Sequence, residues 1–572
     1  MVEKEVVKLE KEICKLKAEL KSLKKTKKFG LVWEEREREL GIDDGEYYPY
    51  LVKKGEDFGI ENGDSNKNIL IEGDNYHALE ILNYTHKEKI DVIYIDPPYN
   101  TGKKKEFRYG DKWISKEDGY RHSYWLSFIK KRLNLAKELL TKEGIICISI
   151  DDNEYARLKL MCDDIFTASN FIGVFIKKIG GGKNDSKTVK VNHEYLLCYG
   201  RSDKSLIKLK NEVTTKDTTA TLQKWGDTEE RENRENLWYP IYANLKTKEI
   251  FFEPSYGLIK IFPIKNDGTE RYWRWERDTA IKDAEKLQLH IGKDDFDNLK
   301  YDIHTITPKG TKKQLPWSSF ISDFSTGGGV KLTEVLGSKI PKMYPKNLEY
   351  IKWICGLSKK KNPVILDFFA GSGTTAHALM DLITDEDSHL TENARYILVT
   401  NNENNICEDV CYSRIKNVVK GYSFKRKDKT IDVPPINSNL EYLKIQTLAH
   451  DDKKHSDLDI KEFMVDKCTE IIKVKERCFD LHPINDFLLR FNKEDKEVYV
   501  LQNIYDMTPK DYEDAREAID NSTRPIVTMY ILALQNQNHY RRKFKDVTKQ
   551  IVFEPLPENF LRILRKIQRK KR

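Results

Sequence analysis

The chain has 572 residues, room for three or four domains at about 150 residues each. No run of about 18 apolar residues occurs, and the lysine- and glutamate-rich start lacks a secretory signal's apolar stretch; a soluble, cytoplasmic protein that spans no membrane is expected. A formal charge of +8 is too mild at this length to identify a polyanionic partner, and nine scattered cysteines without a Cys-x-x-Cys pair predict free, buried thiols and no structural metal.

Val2, Val6, Leu9, Ile13, Leu16, Leu20 and Leu23 alternate spacings of four and three, the seam of an N-terminal helix over 1–30. A coiled-coil dimer or docking on the protein's own body would bury it. A polar, acid-rich connector with turn signals at Asp44-Gly45 and Asn62-Gly63 follows. Then Ile69–Ile71, a helix-like stretch from Tyr76 to Leu82, the apolar run Val92–Ile95, an amphipathic helix from Tyr124 to Leu140 and a strand over Ile145–Ile150 succeed one another. This rhythm predicts βαβ units, an α/β class with a doubly wound, mostly parallel sheet.

Between about 205 and 330 the character changes. Trp225, Trp238, Tyr239, Tyr242, Tyr272, Trp273 and Trp275 lie among lysines, arginines and asparagines, either as base contacts or as that domain's own core. The α/β rhythm returns at Ile351–Leu357, Val364–Leu366 and Tyr396–Val399, and beyond Val433-Pro434-Pro435 a Lys- and Asp-rich C-terminal region begins. The domains expected are 1–30, 31–204, 205–330, 331–430 and 431–572. Seven Lys or Arg among Leu561–Arg572, with Arg541, Arg542, Lys543 and Lys545 nearby, are either a solvated terminus or phosphate contacts.

Two motifs carry chemistry. Asp96-Pro97-Pro98-Tyr99 follows the apolar strand, at the end where parallel sheets bind ligands. The prolines fix φ and donate no N–H, so the Asp96 carboxylate and the Pro97 carbonyl offer two acceptors to an amino group with two hydrogens, and Tyr99 offers a flat face to a base. Asp367-Phe368-Phe369-Ala370-Gly371-Ser372-Gly373-Thr374-Thr375 lies between a strand and a helix, with glycines that let a ligand approach the backbone. Gly371 to Ala376 also fits a loose dinucleotide pattern, so a nicotinamide-dependent oxidoreductase is a rival; a non-catalytic DNA-binding module is another.

At these residues the sequence resembles the amino-methylating DNA methyltransferases of the beta order, in which the catalytic motif precedes the cofactor motif. Gly73-Asp74, Asp96-Pro-Pro-Tyr-Asn-Thr-Gly102 and His193-Glu194-Tyr195 resemble most the modification subunit of type III restriction–modification systems. The likeness spans roughly 30 to 425. It implies transfer of a methyl group from S-adenosylmethionine to adenine N6 in flipped-out double-stranded DNA, with Asp96, Pro97, Pro98 and Tyr99 as the catalytic loop. A lead Asp rather than Ser favours adenine over cytosine N4. By the same likeness Asp367, Phe369, Gly371, Gly373 and Thr374 hold the cofactor and Asp74 contacts its adenine. Glu403, beside Asn401 and Asn402, reaches its ribose, and the segment Lys342–Lys346 covers its methionine end. The insert from 205 to 330 is the natural target-recognition domain. A homodimer on one duplex and a separate helicase–nuclease subunit are the implied partners. His193–Tyr195 opens an apolar strand and reads as core; Gly180–Asn184 and Ser325–Gly329 read as loops near DNA or as plain linkers.

Overall fold

The computed structural model describes residues 47–569 except 56, 63–66, 103–107, 110–111, 114–118, 180–188, 225–233, 266–267, 294–296, 323, 325–326, 341–342, 428, 450–455, 494–495 and 533–537. The N-terminal heptad helix, most of the acidic connector, the glycine run at 180–182, Trp225 and Lys342 lie outside the described residues. Among the described residues no helix is long and apolar enough to cross a membrane.

A ten-stranded sheet organises the larger of two compact units, residues 1–208 with 318–572. Its strands in chain order are β1 (Tyr47–Lys53), β2 (Lys67–Glu72), β3 (Ile90–Ile95), β4 (Leu140–Ile150), β5 (Phe171–Lys178), β6 (His193–Gly200), β7 (Phe320–Ile321), β8 (Val364–Asp367), β9 (Arg395–Thr400) and β10 (Asn439–Ala449). They lie side by side as β1-β10-β2-β9-β8-β3-β4-β6-β5-β7. The six from β10 to β4 are mutually parallel, while β1 and β6 run against their neighbours.

The central strands are continuous apolar runs because both faces are covered. All six residues of β3 are buried. Its one acid, Asp91, accepts from the Val364 N–H (3.0 Å), Lys360 (2.6 Å) and Thr141 (3.1 Å), and so links β3 to β8.

Helices α1 (Asn75–Thr85), α2 (Arg121–Leu139), α3 (Gly328–Leu336), α4 (Leu348–Cys355), α5 (Thr374–Thr384) and α6 (Ser413–Lys420) surround the sheet. The Asp74 carboxylate caps α1 by accepting the Tyr76 N–H, an ordinary N-cap device. In α2, Trp125, Ile129, Leu133 and Ala136 recur at three- and four-residue spacing and are fully buried. From β3 the chain runs through α2 to β4 on one side; from β8 it runs through α5 to β9 on the other. β3 and β8 therefore flank the topological switch point.

The strand β10 lies beyond the composition change near 430, yet it inserts between β1 and β2 in the main sheet. The C-terminal elements build on it. Helices α7 (Asp457–Lys467), α8 (Thr469–Glu476) and α9 (Glu558–Arg569) bury Met464, Ile471 and Phe560 in one core with Leu79 and Leu82 of α1. A five-stranded sheet spans Asp480 to Leu556. The eight described cysteines are free and buried.

The second unit, residues 209–317, holds two three-stranded antiparallel sheets and a two-stranded ribbon. Tyr239, Tyr272 and Trp273 are buried, and Trp273 donates its indole N–H to the Tyr239 carbonyl at 2.8 Å. Those aromatics are core. Trp238, stacked on Phe262 at 4.9 Å, Tyr242 and Trp275 are half-buried.

Candidate active site

The loop Asp96–Asn100 leaves the C-terminal end of β3 and is fixed from several sides. Buried Trp125 of α2 donates its indole N–H to the Pro98 carbonyl at 2.7 Å, leaving that of Pro97 untouched by this bond. Asn100 takes a left-handed conformation (φ 56°), which its short polar side chain tolerates, and donates to the Glu154 carboxylate at 2.6 Å. Glu154 is fully buried and also meets His122 Nδ1 at 2.5 Å.

Asp96 sits in a charged network. The Tyr99 hydroxyl donates to its Oδ1 at 2.8 Å, and the Lys346 ammonium lies 3.2 Å from the same oxygen. Among the described residues no hydrogen bond or ion pair engages Oδ2. Lys346 also donates to the Tyr99 oxygen at 2.5 Å and to Glu194 Oε2 at 2.7 Å. Lys177 donates to Glu194 Oε1 at 2.8 Å. Burial, reinforced by the Glu194 charge, raises the Asp96 carboxyl above the usual carboxylate range against the pull of Lys346. Burial would raise Glu194 too, but Lys346 and Lys177 outweigh it and bring that carboxyl down to about 2. Burial works against the Lys346 charge, and Asp96 and Glu194 more than restore it. Two acids of unlike proton affinity thus share one ammonium.

The loop opens into a cavity of about 550 Å³, lined by Asp96 to Tyr99, Lys177, Glu194 and the segment Met343–Asn347, with Tyr344 exposed. Gly328 is required here, because a Cβ would collide with the backbone carbonyls of Pro345 and Lys346.

Beside this loop, at the end of the neighbouring strand β8, Asp367 turns inward. Its carboxylate accepts the Phe369 N–H at 3.0 Å and the Thr375 hydroxyl at 2.5 Å. Among the described residues no cation pairs with it, and burial, with a contribution from Asp96, pushes its pKa up to about 7. Gly371 and Gly373 adopt φ of 51° and 72°, so the turn into α5 needs glycine. Fully buried Arg414 of α6 donates to the Ser372 carbonyl (3.3 Å) and the Thr374 hydroxyl (2.7 Å), bracing the turn from behind.

The remaining acids sit around this turn. Asp74, at the end of β2, is half-exposed and ion-paired with Arg132 at 3.2 Å. Next to it Asn75 donates to the Phe368 carbonyl at 2.8 Å. Glu403 is exposed just past β9, whose Val399 and Thr400 carbonyls accept from the Ala370 and Gly73 N–H groups. Its neighbour Asn402 accepts the Cys407 and Glu408 N–H groups, a local structural role. The Asp96–Asn100 loop, Asp74, Asp367, Phe369, Gly371, Gly373, Thr374 and Glu403 therefore gather at the C-terminal ends of four adjacent parallel strands. Lys342 lies outside the described residues. Lys346, four positions on, meets Asp96, and Glu194, read from sequence as strand core, is indeed buried but as an ion-pair partner. A charged residue opening an apolar run was the one sequence signal for it.

A family model described as DNA methylase, covering the N6 and N4 amino-methylating enzymes, matches residues 90–410. The type II methyltransferase M.KpnI of Klebsiella pneumoniae is 38% identical over 328 residues, 55% of this chain and 77% of the relative. The Mod subunit of the type III restriction–modification enzyme EcoPI, from Escherichia phage P1, is 30% identical over 57% of this chain; the chain spans just over half, 57%, of that relative's length. The solved complex of M1.HpyAVI with S-adenosylmethionine aligns at 11% identity and a TM-score of 0.28, over 61% of this chain and 98% of the other. The chain belongs to the DNA methylase family and is a DNA methyltransferase.

Proposed function

We propose that the protein methylates the exocyclic N6 of adenine in duplex DNA, with S-adenosylmethionine as donor. One observation carries this reading. The two aspartate-led loops leave adjacent strands at the switch point, so a base in the cavity at Asp96 and a cofactor at the glycine turn become neighbours.

The residues at the glycine turn fit that donor. A Cβ built on Gly371 would meet nothing nearer than 3.8 Å, so open space borders the backbone there. Phe369 supplies a half-buried ring, and Asp74 and Glu403 supply accessible carboxylates at the flanking strand ends, suited to a purine amino group and to ribose hydroxyls. Phe369, Gly371, Gly373 and Thr374 would line the site, Asp367 would hold the turn's shape, and the segment through Lys342 would cover the methionine end. Bound there, the cofactor supplies an electrophilic methyl group.

The chain's own residues position the base. Asp96 Oδ2 and the Pro97 carbonyl accept the two N6 hydrogens, which keeps the nitrogen lone pair directed at the methyl. Tyr99 is held through its hydroxyl, leaving its ring for stacking. As N6 gains the methyl it develops positive charge and must shed one proton; Asp96, with its raised proton affinity, is the acceptor within reach. The rest is orientation and electrostatics, with no covalent enzyme intermediate. The aspartate that heads the motif favours adenine over cytosine N4.

The likeness to Mod subunits supports a modification and recognition subunit of a type III restriction–modification system, acting in the cytoplasm as a homodimer on one duplex with a helicase–nuclease partner. Unit 209–317 is then the target-recognition domain. The test is incubation with labelled S-adenosylmethionine and DNA, followed by nucleoside analysis. N6-methyladenine is expected from the native protein and none from Asp96→Ala, which still binds cofactor. N4-methylcytosine would reverse the base assignment, and full activity in the variant would remove Asp96 from the mechanism.

A further inference from the structure

A second cavity, about 860 Å³, lies between α3 and the hairpin formed by Tyr422–Arg426 and Lys429–Val433. Lys339, Lys425, Arg426 and Lys427 line it, and Glu334 is the one acid in its wall. That acid is already shared by Lys331 at 3.8 Å and Arg426 at 3.9 Å. Lys339, Lys425 and Lys427 are exposed and, among the described residues, have no carboxylate at ion-pair distance. The groove thus carries surplus positive charge over an apolar floor that includes Leu332, Ile340 and Phe424.

A run of surface lysines is ordinarily a solvated face. Location separates this one. Gly329 and Met343 line both this groove and the cavity at Asp96, so the two adjoin. A nucleotide turned into the Asp96 cavity stays joined to its neighbours, and each strand of a duplex carries a phosphate every ~3.4 Å of axis.

We propose that this groove seats the phosphate backbone flanking the target base, with Lys339, Lys425 and Lys427 as its counter-charges. It rests on the reading of the Asp96 cavity as the base pocket. Lysines act here as point charges, so the contact orients the strand and reads no sequence.

The full chain is compared with Lys425→Ala/Lys427→Ala and Lys425→Glu/Lys427→Glu. Binding to duplex oligonucleotides is followed by fluorescence anisotropy from about 50 to about 200 mM salt. In the alanine pair the slope of log affinity against log salt becomes shallower by about 2, and affinity at about 0.1 M salt falls roughly 50-fold, equally for unrelated sequences. Charge reversal deepens the loss, while cofactor affinity stays at the native level. An unchanged slope overturns the proposal, as does a loss confined to one DNA sequence or to binding of a protein partner. If the native chain makes no methylated DNA, the base-pocket reading fails; if it does and the slope is unmoved, only the groove is refuted.

Discussion

The ends of β3 and β8 occupy equivalent places on either side of the switch point, and each begins with an aspartate. Their surroundings differ completely. Asp96 is met by Lys346, Tyr99 and, through them, Glu194 and Lys177. Asp367 is met by a backbone N–H and a hydroxyl. Burial raises the proton affinity of both, but a neighbouring cation restrains the first alone. One position in a fold therefore serves two ends: a carboxylate set among charges at a cavity, and a carboxylate used as a bracket for a glycine turn.

Removing that cation should weaken the distinction. Lys346→Met leaves Lys177, paired with Glu194, as the remaining cation of the network and strips Asp96 of its own partner, and loss of one partner from a buried pair costs about 3–5 kcal/mol. Methylation at neutral pH should fall roughly 100-fold, with partial recovery as rising pH ionises the carboxyls again. A pH profile of kcat parallel to the native one would detach Lys346 from Asp96.

At the other strand end the sign runs with an acid whose folded pKa, about 7, lies above its ordinary value of 3.8. The folded state binds the extra proton more tightly, so this stabilisation is complete below the ordinary value and is lost as pH rises through about 7. Asp367→Asn should erase that dependence and leave the variant more stable by about 2–4 kcal/mol at pH ~8. Urea unfolding at acid and alkaline pH checks it; equal slopes in both proteins would show that Asp367 does not titrate there.

Two smaller effects sharpen the contrast. Gly373→Ala puts a Cβ about 3.0 Å from the Cys411 sulfur, at a left-handed φ that costs about 1–2 kcal/mol. Cofactor affinity should weaken about tenfold by calorimetry with little change in kcat, whereas a change in kcat alone would mean the turn serves the base. Trp125→Phe removes the hydrogen bond to Pro98, worth about 0.5–1.5 kcal/mol, and some of the packing of a fully buried ring. A loss in kcat of several-fold, with cofactor binding untouched, is expected from single-turnover measurements.

The parts legible in the sequence are those whose chemistry is contiguous. Asp96–Tyr99 and Asp367–Thr375 advertise themselves because a strand end, its turn residues and its acid are adjacent in the chain, and each strand or helix read from apolar periodicity in the parallel core is present. Lys346 and Glu194 were not legible as a pair. They are 152 positions apart and meet only because β6 and the segment before α4 converge on one cavity. Trp125 looks like any buried aromatic of an amphipathic helix until its indole is found on the Pro98 carbonyl. The placement of β10 was hidden for a different reason: composition changes near 430, but a strand joins whichever edge its backbone can pair with.

The parallel pairing of β3 with β8 also bears on biosynthesis. Some 270 residues separate the two strands, so at ordinary translation rates β3 waits on the order of 15 to 55 s with an apolar edge unclaimed. During that interval the emerging chain carries an unpaired apolar strand edge, the condition under which chains aggregate and chaperones engage them.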